Sequence, residues 1–210
     1  APFAAAQERV DFYGDPLPNG ALARLGTIRL RTWGQFGDAA FDPDGGILAT
    51  AAGPRILFWD TNSGRLLREE STSANSVRRI RYSPNGKLFA AAVGEALVVW
   101  DTETQQRVCA VQTEASSITF SADGSQMAIV DRDGSLHFWK LGEKGAVPGP
   151  SRPEGFSQVE FSAGGEWVLA ATKQQLFRIS AETGRVVHEW NAHEARVTDI
   201  DISPDDSQVV

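Results

Sequence analysis

The stretch Val77-Arg78-Arg79-Ile80-Arg81-Tyr82-Ser83-Pro84-Asn85-Gly86-Lys87-Leu88-Phe89-Ala90-Ala91-Ala92-Val93 decides the fold. Its first six residues alternate, and a period of two puts Ile80 and Tyr82 on one face of a strand. The polar tetrad Ser83-Pro84-Asn85-Gly86 is turn chemistry. Alanine alone would favour helix in the run that follows, but a run this short between Gly-containing turns cannot sustain one. Small side chains also suit sheets stacked face to face, so the run reads as a strand.

The same signature recurs at Phe41-Asp42-Pro43-Asp44-Gly45, Phe120-Ser121-Ala122-Asp123-Gly124, Phe161-Ser162-Ala163-Gly164-Gly165 and Ile202-Ser203-Pro204-Asp205-Asp206. Its leading positions, 41, 82, 120, 161 and 202, are 41, 38, 41 and 41 residues apart. A second landmark follows 18 or 19 residues after the first, at Trp59-Asp60, Trp100-Asp101, Trp139-Lys140 and the weaker Ile179-Ser180. A third strand ends at that landmark, and a fourth follows Thr-Asn-Ser-Gly or Glu-Thr-Gly turns. Four short antiparallel strands per roughly 40 residues make one blade of a β-propeller. The expected fold is therefore all-β, with four complete four-stranded blades at 32–70, 71–111, 112–150 and 151–190 and the start of a fifth at 191–210.

Over residues 27 to 210 these units resemble WD40 repeats. The structural repeat landmarks the resemblance implies are Trp59, Asp60, Trp100, Asp101, Asp133, Trp139 and His193. There are departures. The family's Gly-His pair survives only as Ala192-His193, and the acidic residue of the second-to-third-strand turn only as Asp133. The buried His, Ser/Thr, Asp and Trp network typical of the family is therefore complete in no blade. Residues 1–26 resemble the lead-in to the first blade of large bacterial WD40 proteins, whose arrays are often fused to a kinase or to another signalling or redox domain. Residues 27–31 form the candidate ring-closing strand. The fifth unit stops inside its second strand, so the ring is expected to be incomplete in this chain. Self-association through the uncovered blade faces would follow. Pro148, Pro150 and Pro153 are expected to make the outer strand of the third blade the poorest.

The composition supports a packed domain, since 41% of the 210 residues are hydrophobic. Twenty Lys and Arg against 27 Asp and Glu give a net charge of −7, which argues against a nucleic-acid-coating surface or a polybasic membrane patch. Cys109, the only cysteine, sits in the apolar pattern Arg107-Val108-Cys109-Ala110-Val111 and reads as an inert thiol rather than a nucleophile. His137, His188 and His193 lack metal-ligand spacing, and Asp131-Arg132-Asp133-Gly134 lacks the remaining ligands of a calcium loop. No Gly-x-Ser-x-Gly elbow, P-loop or Gly-x-Gly-x-x-Gly occurs. No apolar run reaches the roughly 18 residues of a membrane span. The Ala-rich start reads as a linker more readily than as the end of an export signal, which leaves cytoplasmic and exported locations both open. The reading thus contains no catalytic residue, cofactor or metal.

Aligning the repeats separates the charges. The turns between first and second and between third and fourth strands share one rim, and carry Asp42, Asp44, Asp60, Asp101, Asp123 and Glu143 among others. The opposite rim carries Arg55, Arg132, Lys173 and Arg196, with Glu95 and Glu114 as exceptions. The expected function is a non-catalytic scaffold that binds protein or peptide, with an acidic partner on the basic-leaning rim. The alternative is an accessory or sensory propeller of a larger signalling or redox enzyme whose catalytic domain lies outside the chain. A purely structural scaffold is a third reading.

Overall fold

The computed structural model describes residues 9–24, 28–32, 34–142, 145–191 and 197–209. Its strands are β1 Phe36–Phe41, β2 Ile47–Ala52, β3 Arg55–Asp60, β4 Leu66–Ser71, β5 Val77–Tyr82, β6 Leu88–Val93, β7 Ala96–Asp101, β8 Arg107–Gln112, β9 Ala115–Phe120, β10 Gln126–Asp131, β11 Leu136–Gly142, β12 Gly145–Arg152, β13 Gln158–Phe161, β14 Trp167–Ala171, β15 Gln175–Ser180 and β16 Val186–Asn191. They form four antiparallel sheets of four strands in chain order, and no helix occurs among the described residues.

The repeated tetrad works as a turn because its first residue supplies two acceptors. Its carbonyl takes an N–H three residues on, as in Gly45 to Asp42, Gly86 to Ser83, Gly124 to Ser121, Gly165 to Ser162 and Asp206 to Ser203, all at 2.9 Å. Its side-chain oxygen takes the N–H five residues on, from Ile47 to Asp42 Oδ1 at 2.7 Å and from Leu88, Gln126 and Gln208 to Ser83, Ser121 and Ser203 Oγ at 2.9 Å. The donor residue needs a left-handed backbone, which Gly45 supplies at φ 71°. In the fifth unit Asp206 adopts φ 58° instead, and its carboxylate accepts the Ala163 N–H of the preceding blade's turn at 2.7 Å.

Each central sheet is buried on both faces, and period two sorts its residues between neighbours. In β6, Phe89 and Ala91 pack toward the first blade, while Ala90 and Ala92 pack toward the third. In β10, Met127 and Ile129 face the second blade and Ala128 and Val130 the fourth. The inner strands β1, β5, β9 and β13 pack in succession, while the fourth sheet is not stacked on the first in that way, so the ring is open. The open face of the first blade shows it directly. Five positions before each leading residue stand Val77, Ala115, Phe156 and Val197, none more than 6% exposed, whereas the equivalent Phe36 is 58% exposed.

Residues 28–31, the candidate closing strand, pair with no sheet among the described residues: Arg29 and Leu30 lie in a turn, Leu30 has φ 52°, and its N–H donates to Gly64 O at 3.2 Å. Thr27 lies outside the described residues. The lead-in instead docks on the third-to-fourth-strand turn of the first blade, where buried Asp15 pairs with Arg29 at 2.9 Å and Arg65 at 3.4 Å. Against expectation, the outer strand of the third blade is not poor, because β12 runs for eight residues despite Pro148 and Pro150. An edge strand needs only alternate N–H groups, so prolines two apart can turn their missing donors outward. A register shift between His137 and Trp139 absorbs the irregularity.

Gly45 isolates the cost of the turn conformation, since a Cβ there meets nothing within 4 Å. Gly45→Ala should lower stability by about 1 kcal/mol, read as a lower urea midpoint at unchanged slope. An unchanged midpoint would contradict this account of the turn.

Candidate functional site

The sequence landmarks serve structure, each in its own way. Trp59 is 2% exposed and its Nε1 donates to Thr50 Oγ1 at 2.9 Å. Trp100 packs beside Phe89 at the edge of the core between the first two blades. Trp139 holds the equivalent place in the third blade, but its buried Nε1 has no hydrogen-bond partner among the described residues. The residue matching Thr50 is there Ile129, which offers no acceptor. Asp60 and Asp101 cap their own turns: Asp60 Oδ1 accepts the Ser63 N–H at 2.6 Å, and Asp101 Oδ1 accepts the Thr104 N–H and hydroxyl at 2.7 and 2.8 Å. These bonds hold both carboxyls below the usual carboxylate range, through the Ser63 side chain and backbone at Asp60 and the Thr104 backbone and side chain at Asp101.

In the third blade Asp131 caps the second-to-third-strand turn. Its Oδ1 accepts from Asp133 and Ser135 N–H at 3.0 and 2.9 Å, and its Oδ2 lies 3.0 Å from His137 Nε2. Burial raises the Asp131 carboxyl, but the His137 and Ser135 hydrogen bonds outweigh it and leave the pKa lowered. Asp133 itself is exposed, and His193 lies outside the described residues.

Of the basic-leaning rim, Arg55 pairs with Glu69 at 3.3 Å and Arg132 with Glu114 at 3.1 Å, while Glu114 also holds Arg78 at 3.0 Å. Lys173 borders a shallow hollow with Glu154, Gln174 and Asn191. These side chains stand at separate turns and do not meet in one cluster. Arg196 and Glu143 lie outside the described residues.

A polar central channel went unread in the sequence, although its signal is periodic. One and three positions before each leading residue stand Ala40 and Asp38, Arg81 and Arg79, Thr119 and Ser117, Glu160 and Gln158, and Asp201 and Asp199. In the first four pairs the member three positions before the leading residue bridges to the next blade. Asp38 Oδ2 accepts the Ile80 N–H at 3.0 Å and Ser117 Oγ the Val159 N–H at 3.2 Å. The donors Arg79 and Gln158 reach Ser116 O and Thr198 O at 2.7 and 3.1 Å. Inner strands of different sheets cannot form a ladder with one another, so side chains satisfy their backbone instead.

The comparisons agree with this architecture. A family model described as the WD domain, G-beta repeat, matches residues 184–210. The β-propeller domain of Cps50 (Swd1) from Myceliophteria thermophila superposes with a TM-score of 0.75 at 16% identity. The match covers 87% of this chain and 64% of that one. The chain is therefore an all-β propeller with a WD40 repeat match at 184–210, and it spans about two thirds of the solved propeller it resembles. No curated protein sequence matches it significantly. As many as 1569 chains of solved structures share the fold at a significant level, so the fold by itself selects no ligand. Among the described residues, no helix is long and apolar enough to cross a membrane.

Within the channel, Glu160 accepts from Thr119 Oγ1 at 3.1 Å, and its carboxyl is pushed up to about 7. Burial is the main cause; Arg81 and the Thr119 bond oppose it, and Asp201 and Asp199 add to it. A folded pKa above the unfolded value of 4.5 means that stability from this group is full below pH 4.5 and is lost as pH rises through about 7. Gln at this position keeps the acceptor and removes the titration. Glu160→Gln should therefore gain up to about 3 kcal/mol at alkaline pH and converge with the parent in acid. Urea midpoints across that range test this, and parallel pH profiles would contradict it.

Proposed function

We propose that this propeller is a non-catalytic module that binds protein or peptide partners on its loop-bearing rims. The observation that carries the reading is that the repeated chemical groups are consumed by the scaffold. Turn carboxylates cap their own turns, channel side chains bridge blades, and burial raises the thiol pKa of Cys109 away from the reactive thiolate. Variation is left to loops that the stacked sheets hold in fixed relative positions.

The basic-leaning rim is the proposed face for an acidic partner. The pairs Arg55–Glu69 and Arg132–Glu114 are solvent-accessible, and such pairs hold their partners weakly, so a carboxylate-rich peptide can compete for both guanidinium groups. Lys173 makes no ion pair among the described residues. Binding of this kind gains mainly in association rate and specificity and weakens as salt screens it. A fluorescent peptide of alternating glutamate and glycine should bind at low salt. The triple change of Arg55, Arg132 and Lys173 to Glu should abolish that binding while leaving the melting transition cooperative. Undiminished binding by the triple variant would overturn the assignment of the face.

A further inference from the structure

We propose that the wedge between the first and second blades is a binding site for a basic side chain, arginine or lysine, presented by a peptide partner. The proposal rests on the interaction-module reading and adds a second site of opposite charge preference.

Blades that radiate from one axis diverge outward. Along the middle of β2 and β6 small residues such as Ala49, Ala51 and Ala91 let the first two sheets meet. Toward the rim of the first-to-second-strand turns the gap must be filled by larger groups or stay open. Here Phe58, Tyr82, Phe89 and Trp100 enter it, with ring centroids 5.4 Å apart for Phe58 and Phe89, 4.8 Å for Tyr82 and Phe89, and 6.2 Å for Phe89 and Trp100. They do not fill it, and a groove of about 460 Å³ remains.

Aromatic faces attract cations through their quadrupole, most strongly where water is partly excluded. The chain already displays that chemistry: the Arg68 guanidinium carbon lies 4.1 Å from the centre of the Phe58 ring, with Nη2 at 3.3 Å from Glu70 Oε1. One internal cation does not balance the groove. Among the described residues, Asp42, Asp44, Glu70 and Asp101 line it against Arg68 alone. The field is felt by the Tyr82 hydroxyl, whose pKa is pushed up to about 12 by burial first and then by Asp42, with Arg68 opposing and Glu70 adding.

A hollow beside the turns of the third and fourth blades supplies the contrast. Arg178, on the fourth blade's face turned from the third, covers Trp167 at 4.4 Å, and among the described residues Lys140 and Arg178 stand with Glu166 and Glu182, two charges of each sign. The wedge keeps its aromatic walls and an excess of carboxylates, which repel phosphates and acidic peptides and favour a guanidinium or ammonium group.

The test is a titration of the 210-residue chain with an acetylated, amidated peptide of alternating arginine and glycine, followed by the indole N–H signal of Trp100. The same peptide with citrulline in place of arginine is the neutral control. The arginine peptide should shift Trp100 and the citrulline peptide should not. The double variant Asp44→Asn with Glu70→Gln, which removes charge but not volume, should weaken binding about tenfold. Arg68→Gln should tighten it severalfold by vacating the Phe58 face, whereas Lys140→Gln, an equal charge change at the far hollow, should leave it unaltered. Equal shifts by the citrulline peptide would overturn the proposal. So would equal effects of Arg68→Gln and Lys140→Gln, or shifts centred on the turns at Asp123 and Glu166. The glutamate-peptide experiment uses the opposite rim, so failure here leaves the broader reading standing.

Discussion

Apolar contact between the faces of consecutive blades is the interaction on which the rest of the molecule depends. Among the described residues the three large clusters of buried side chains each straddle two blades, and only a small cluster of Ala52, Leu57 and Trp59 lies within one sheet. Ile80 is buried in one cluster with Ala49, Ala51 and Ile56 of the preceding blade, and Ile129 in another with Leu97 and Val99. Each such side chain is worth about 1.5–3 kcal/mol of transfer free energy. Stability is therefore a sum over neighbouring pairs, as expected of a stacked array. The two rims and the channel inherit their geometry from that stacking.

The same dependence explains the first blade. Its face away from the second blade keeps Phe36 and Phe41 exposed, where the third and fourth blades bury Phe120 and Phe161. Farther out, Trp59 and Leu57 are covered, and the lead-in lies beside them, pinned through Asp15 to Arg29 and Arg65. The polar channel is the complement of these apolar contacts. Where two inner strands approach too closely for a side-chain core, an Asp, Ser, Arg or Gln bridges the gap and satisfies the neighbouring backbone.

The architecture was legible because its decisive chemistry is local and periodic. A turn that bonds through its own first side chain leaves the same residues at the same spacing in every unit, and a two-residue alternation names the buried faces. The candidate sites were less legible because they are made between strands and between units. Arg55 and Glu69 meet diagonally across β3 and β4, and Glu114 joins Arg78 to Arg132 from three different segments. Phe58, Tyr82, Phe89 and Trp100 look like core in the sequence, and only the divergence of two blades turns them into a groove wall. Residues 28–31 show the limit of local pattern: their alternation suits a strand, but here the Leu30 N–H bonds to the Gly64 carbonyl in a turn.

Native-state hydrogen exchange on this chain tests the stacking account most directly. The second and third blades each have neighbours on both faces, so the amides of β6, β7, β10 and β11 should exchange slowest. The amides of β2 and β3 in the first blade and β14 and β15 in the fourth should exchange faster, through opening of a single interface. Protection of the first and fourth blades equal to or greater than that of the middle pair would contradict the claim that contacts between consecutive blades carry the structure.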